Sequence, residues 1–164
     1  MKSMVLIVHN IRSAHNVGSL LRTADGLGVN EVFLTGYTPY PHDQNDTRLP
    51  HISRKIDAQI HKTALGAETT VSWHHDASIK DVITKLRMDK HKVVALEQAP
   101  TSLPMTKFVS PEKLAIIIGR EVEGIESEVL DFCDQIVEIP MSGYKESFNV
   151  AVAAAIFLSY CQFR

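Results

Sequence analysis

Short apolar runs with strand length and composition recur along the chain: Val5–Val8, Glu31–Thr35, Lys92–Leu96, Leu114–Ile118 and Gln135–Ile139, with a weaker one at Val71–Trp73. Between them lie stretches of helical spacing. Ser78–Met88 sets Ile79, Val82, Ile83 and Leu86 at i, i+3, i+4 and i+7, and Ser78 with Asp81 makes a capping signal at its start. A helix from Val17 to about Leu27 follows Asn16, which is placed to cap it, and Gly28 suits its C-terminal end. His61–Ala67 reads as a short helix ending at Gly66. Strand, helix and strand in succession from Val5 to Thr35 predict a parallel βαβ unit, hence an α/β fold.

Three stretches depart from this alternation. Gly36–Ile56 is long, polar and interrupted by Pro39, Pro41 and Pro50, so it reads as a loop, and loops of that length in compact domains are functional or disordered. Ala99–Pro111 is a second proline-containing connection. Asn149–Phe163 has helical composition but is apolar nearly all round, from Val150 through Ala153, Ala154 and Ile156 to Leu158. Such a helix is either deeply buried or shared with a partner, and a chain of this size favours a subunit interface.

Composition narrows the class. The 164 residues are read as one domain, 1–164, with no separate extension, and 45% of them are hydrophobic. No apolar run approaches the roughly 18 residues of a membrane helix, and the start MKSMVLIVHN reads as a first strand. Cys133 and Cys161 form no C-x-x-C pair and both lie in apolar segments, which suits reduced thiols in the cytoplasm. Eight histidines show no H-x-x-x-H or H-E-x-x-H spacing, so no metal site is expected. The net charge of −2 gives no global basic footprint, although a local basic surface is compatible with it.

The chemistry is concentrated in two loops. Leu114–Ile118 opens into Gly119–Gly124, and Gln135–Ile139 opens into Pro140–Ser147. Strands that empty into such loops predict a ligand pocket at their carboxyl ends. Gly119–Gly124 has a G-x-x-x-x-G outline but continues Ile125-Glu126 rather than Lys-Ser/Thr, and Glu121, Glu123 and Glu126 face the single cation Arg120. That balance disfavours a polyphosphate and suits a neutral or cationic ligand. A first motif, Asn16-Val-Gly-Ser-Leu-Leu-Arg22, sits on the first helix, where a six-residue separation rotates Asn16 and Arg22 onto different faces.

Taken together, Asn16–Arg22, Gly119-Arg-Glu-Val-Glu-Gly124, Ile139-Pro-Met141 and Ser147-Phe-Asn-Val150 resemble, in order, the three motifs of the SpoU branch of the SPOUT RNA methyltransferases. The likeness covers Asn10–Gly36 and Val93–Ala155 and is loose between them; Phe148 and Arg120 depart from the usual residues. The resemblance implies a mostly parallel sheet flanked by helices, with a C-terminal deep trefoil knot at about 114–163. It implies a homodimer joined through the last helix and S-adenosylmethionine (AdoMet) as cofactor, without metal. The cofactor would be held by Leu96, Gly119, Gly124, Ile139, Met141, Ser147 and Phe148.

The implied reaction is methylation of a ribose 2′-hydroxyl in RNA, with transfer RNA the first choice of substrate and ribosomal RNA the second. The residues assigned to it are Arg22, Asn16, Glu121, Ser147 and Asn149. A guanidinium stays protonated, so Arg22 is assigned as a phosphate anchor and electrostatic stabiliser, and Glu121 as proton acceptor or orienting group. Ser147 and Asn149 would bond the ribose or fix their loop, or simply cap the final helix. The Gly36–Ile56 loop is read either as a solvated surface or as a mobile lid over RNA. Two other classes are open: a non-catalytic RNA-binding protein, and an ordinary nucleotide-binding domain, which lacks both G-x-G-x-x-G after the first strand and a phosphate-loop lysine.

Overall fold

The apolar runs become the strands of one seven-stranded, all-parallel sheet in the computed structural model, which describes residues 2–164. In chain order the strands are β1 (Ser3–His9), β2 (Glu31–Thr35), β3 (Trp73–Asp76), β4 (Lys92–Leu96), β5 (Leu103–Pro104), β6 (Lys113–Ile118) and β7 (Gln135–Glu138). The order across the sheet is β3-β2-β1-β6-β4-β7-β5.

Alternating side chains feed two cores. Met4, Leu6 and Val8 of β1 and Leu114, Ile116 and Ile118 of β6 point to one face. There they meet α1 (Ala14–Gly26), α2 (Pro50–Ala64), α3 (Ala67–Thr70) and α6 (Val150–Phe163). Val5, Ile7, Ala115 and Ile117 point to the other, under α4 (Ile79–Met88) and α5 (Ser127–Leu130). Burial on both faces is why these strands are continuous apolar runs rather than alternating ones.

Three expectations are corrected. Ser13, not Asn16, caps α1: its side chain accepts from the Asn16 N–H, and the helix begins at Ala14. Asn16 is thereby released for contacts outside the helix. The Gly36–Ile56 loop is shorter than expected, because α2 starts at Pro50, where a missing N–H and a fixed φ suit the first turn. The segment expected as a helix at His61–Ala67 is the end of α2, which stops at left-handed Leu65, followed by the short α3. What remains of the loop is tied down rather than free. The Arg48 guanidinium donates to the carbonyls of Tyr40 and Pro41 and pairs with Asp46, which also accepts from the Ser53 hydroxyl.

The last helix is one-sided. Ala151, Ala154, Phe157, Leu158 and Cys161 are buried against the sheet and α1, while Val152 stays 47% and Phe163 75% exposed. At its end, the Lys2 ammonium donates to the Cys161 carbonyl, a cation on the negative end of the helix.

Candidate active site

The carboxyl ends of β4, β6 and β7 open into a cavity of about 250 Å3, which has room for a small ligand and not for a polynucleotide. Leu96, Gly119, Gly124 and Ile139 line it, as do Met141, Ser147 and Phe148, so the seven residues assigned to the cofactor border one space. Two glycines are required there. A Cβ on Gly119 would lie 2.5 Å from Ile125 Cγ1, and one on Gly124, at φ +71°, would lie 2.4 Å from Glu97 Oε2. Glu97 also accepts from the Ile125 N–H at 3.0 Å, so the end of β4 grips the loop after β6.

The carboxylates of that loop are used differently from the sequence expectation. Glu123 and Glu126 do not line the cavity; they face the loop between β1 and α1. Glu123 pairs with Arg12 at 3.5 Å. Glu126 accepts from Asn10 Nδ2 at 2.9 Å and lies 3.3 Å from His9 Nε2. The acidic character of the cavity comes instead from Glu97, Glu121, Glu138 and Glu146, against Arg120 alone. Sequence reasoning missed Glu97, Glu138 and Glu146; their positions just after β4, at the end of β7 and beside Ser147 were the available signal. Arg120, the unusual residue of the second motif, closes its own loop: its Nε donates to the Gly124 carbonyl at 3.2 Å and its carbonyl accepts from the Gly124 N–H.

Beside the cavity, three assigned catalytic residues form a chain. Asn16 Nδ2 donates to Glu121 Oε1 at 3.0 Å, and Asn149 Nδ2 donates to Asn16 Oδ1 at 3.2 Å. Asn149 is also the cap of α6, its Oδ1 accepting from the N–H groups of Ala151 and Val152. Asn149 thus joins the two elements: its Oδ1 caps α6 and its Nδ2 holds Asn16. Ser147 stands on the cavity wall. Arg22 is not part of this group. It is exposed on α1, six residues beyond Asn16, and none of the hydrogen bonds or ion pairs among the described residues uses it.

A titratable pair, buried His9 and half-buried Glu126, underlies the site. His9, 6% exposed, takes Thr35 Oγ1 on Nδ1 at 2.9 Å and faces Glu126 with Nε2. Burial holds its pKa below the ordinary value despite the attraction of Glu126. Burial pushes Glu126 the other way, but backbone and Asn10 hydrogen bonds and the neighbouring His9 and Arg120 outweigh it and leave its pKa lowered. The two thiols lie apart from this region; burial raises Cys161 to about 11 and Cys133 to about 12, so neither is a thiolate at neutral pH. Among the described residues no cluster of His, Cys, Asp or Glu is arranged to hold a metal ion, and no helix is long and apolar enough to cross a membrane.

Comparison with known proteins gives this geometry a context. The chain is 30% identical over 158 residues to the 23S rRNA (guanosine-2′-O-)-methyltransferase RlmB of Pectobacterium atrosepticum, covering 94% of this chain and 57% of that protein. It is 26% identical over 155 residues to the tRNA (guanosine(18)-2′-O)-methyltransferase of Borreliella burgdorferi, covering 94% and 64%. The chain thus spans little more than half the length of the 23S rRNA enzymes it matches. The fold is that of the SpoU methyltransferase AviRb from Streptomyces viridochromogenes, whose structure is in complex with AdoMet, with a TM-score of 0.79 at 20% identity over 98% of this chain and 59% of that one. It is also that of the A. aeolicus TrmH/SpoU tRNA modifying enzyme, with a TM-score of 0.80 at 19% identity over 99% and 75%. The sequence profile of the SpoU rRNA Methylase family matches residues 3–159, nearly the whole chain, and the protein belongs to that family.

Proposed function

We propose that this chain transfers a methyl group from AdoMet to a ribose 2′-hydroxyl of RNA. The observation that carries the reading is the Glu121–Asn16–Asn149 chain, set at the mouth of a lysine-free cavity lined by carboxylates. The cavity fits the cofactor on its own chemistry. Ile118, Ile139 and Phe148 offer apolar wall, four glutamates offer acceptors for hydroxyls and an amine, and the excess of negative charge favours a sulfonium over a phosphate.

AdoMet supplies an electrophilic methyl group. What remains is to align the attacking oxygen, accept its proton and stabilise the developing charge. Glu121 is held through Oε1 by Asn16, which leaves Oε2 to accept or orient a ribose hydroxyl. Asn149 and Ser147 are the ribose-side hydrogen-bonding groups. Arg22 anchors an RNA phosphate, and its distance from Asn16 around α1 supports a role in the site of the opposite subunit of a homodimer. The exposed Val152 and Phe163 on α6 support that helix as the interface.

A local basic surface supports RNA as partner despite the overall charge. The exposed positions of α2 include Arg54, Lys55 and Lys62 with His51 and His61, whereas Asp57 is half-buried and accepts from the His42 N–H. The same family reading makes residues 114–163 a deep trefoil knot; β7 lying between β4 and β5, with α6 packed back on α1, supports it. Residues 1–164 act as one catalytic domain, and an RNA substrate together with two free thiols supports the cytoplasm as its location. Transfer RNA is the first substrate to test, and the relatives named for 23S rRNA favour ribosomal RNA as the second.

Calorimetry in the presence of a chelator tests the cofactor assignment, and methyl transfer to unmodified tRNA and rRNA transcripts tests the substrate. Binding of AdoMet and of its demethylated product, with ATP bound weakly or not at all, is the expected result. Tighter binding of ATP would overturn the cofactor. AdoMet binding with no transfer to either transcript would leave the non-catalytic RNA-binding reading.

A further inference from the structure

A second groove, of about 460 Å3, opens at the carboxyl ends of β1 and β2, and Arg12, Tyr37, Gln59, His75 and Thr38 are among its lining residues. It is linked to the loop after β6, part of which lines the active-site cavity. Asn10, at φ 54°, accepts from the Tyr37 N–H with Oδ1 and donates to Glu126 with Nδ2, so one side chain ties the segment after β2 to the loop after β6. Arg12, 72% exposed, stands between the groove and Glu123 of the cavity loop. The groove is also rigid. Tyr40 is stacked on His75 at 3.9 Å on one side and covered by Arg48 at 3.6 Å on the other, and Arg48 is itself fixed by two backbone carbonyls.

Both faces of Tyr40 are thus occupied, whereas Tyr37 is 51% exposed. Gln59 makes no side-chain hydrogen bond among the described residues, so its amide is free to bond the edge of a base. Gln59 lies on α2, whose outer face continues as the Arg54, Lys55 and Lys62 strip. A stacking ring, a free amide and a cation in one preformed groove, leading onto a basic helix, match an unpaired nucleotide.

We propose that this groove is a binding subsite for an unpaired nucleotide adjoining the one that is methylated, with Tyr37 stacking its base, Gln59 bonding its edge and Arg12 holding its phosphate. The proposal rests on the reading of the chain as an RNA ribose methyltransferase. It assigns these three residues to substrate specificity and none to the chemical step.

The test compares wild type, Tyr37→Ala, Tyr37→Phe, Gln59→Ala and Arg12→Ala in three assays. These are AdoMet calorimetry, anisotropy titration of the fluorescein-labelled RNA transcript that wild type methylates best, and single-turnover transfer at saturating RNA. Tyr37→Ala is expected to weaken RNA binding about tenfold while Tyr37→Phe retains it, as stacking requires. Arg12→Ala lowers the slope of log affinity against log salt by about one. AdoMet affinity and the saturated rate are unchanged in all four variants. If wild type methylates RNA and the Tyr37→Ala and Gln59→Ala proteins bind it as tightly as wild type, the subsite is overturned and the methyltransferase reading stands. If wild type transfers no methyl group to any RNA, both fall.

Discussion

Asn16 is bonded to both Glu121 and Asn149, so replacing it by alanine removes two hydrogen bonds at once and frees the Glu121 carboxylate. One of those bonds is to a charged group, and a loss of about tenfold to a hundredfold in the single-turnover rate is expected for Asn16→Ala. AdoMet affinity should change little, because Asn16 does not line the cavity; calorimetry beside rapid-quench kinetics checks both. Gly18 makes a different prediction from the same helix. A Cβ there would lie 2.2 Å from the Ile60 carbonyl oxygen, and backbone cannot swing aside as a side chain can. Gly18→Ala should destabilise the protein by about 1–3 kcal/mol, read as a lower denaturant midpoint. The His9–Glu126 pair gives a pH dependence. Both folded pKa values are lowered, so the stability they contribute is complete at neutral pH. It falls first as pH drops below about 6.5, where His9 of the unfolded chain takes up a proton, and again below about 4.3, where Glu126 does. Urea midpoints followed from pH 8 to below the unfolded carboxylate range, to about pH 3, should show both losses, and His9→Gln should abolish the upper one. At this scale the motif residues were legible because their types are restrictive, but their partners were not. Ser13 and Asn16 are equally good caps three residues apart, and only the position of Glu121 and Asn149 shows which of them the helix start uses.

Elements with a strict period were legible along the chain, and those that depend on tertiary contacts were not. β2 and β4 occupy the expected Glu31–Thr35 and Lys92–Leu96, and α4 starts under the Ser78 cap as its spacing requires. α2 was missed because its exposed positions are polar, its buried ones are few, and Pro50 reads as a loop residue until it is seen in a first turn. α6 was legible as a helix with an unusual surplus of apolar surface, but which side faces out is set by the sheet. Ala154 is fully buried in the monomer core, whereas Val152 is exposed on the other side. If the proposed α6 dimer forms, Val152→Glu should shift sedimentation from dimer to monomer at micromolar concentration with the fold intact. Ala154→Glu should lower stability instead, by burying an unpaired charge. A wild-type protein that sediments as a monomer would remove α6 as an interface.

At the scale of the whole molecule, charge and topology are arranged across the sheet rather than along the sequence. The net charge of −2 conceals a carboxylate-lined cavity at β4, β6 and β7 and a basic face on α2. Neither segregation is visible in composition: the cavity gathers Glu97, Glu121, Glu138 and Glu146 from three separate loops and strand ends, and the α2 face is set by which side of that helix packs on the core. The same arrangement separates Arg22 from the Asn16–Glu121–Asn149 group within one protomer. If Arg22 serves the opposite subunit, mixing inactive Arg22→Ala and Glu121→Gln proteins should restore measurable activity, since one site of each mixed dimer then holds both residues intact. No recovery after verified subunit exchange would confine Arg22 to its own protomer. The central claim, ribose methylation by this site, is tested most directly by identifying the product. RNA incubated with the protein and isotopically labelled AdoMet is digested to nucleosides and resolved by mass spectrometry. A label confined to a 2′-O-methyl nucleoside, and reduced at least tenfold with Asn16→Ala, is the predicted result; a label on a base, or none on RNA although AdoMet is bound, would contradict it.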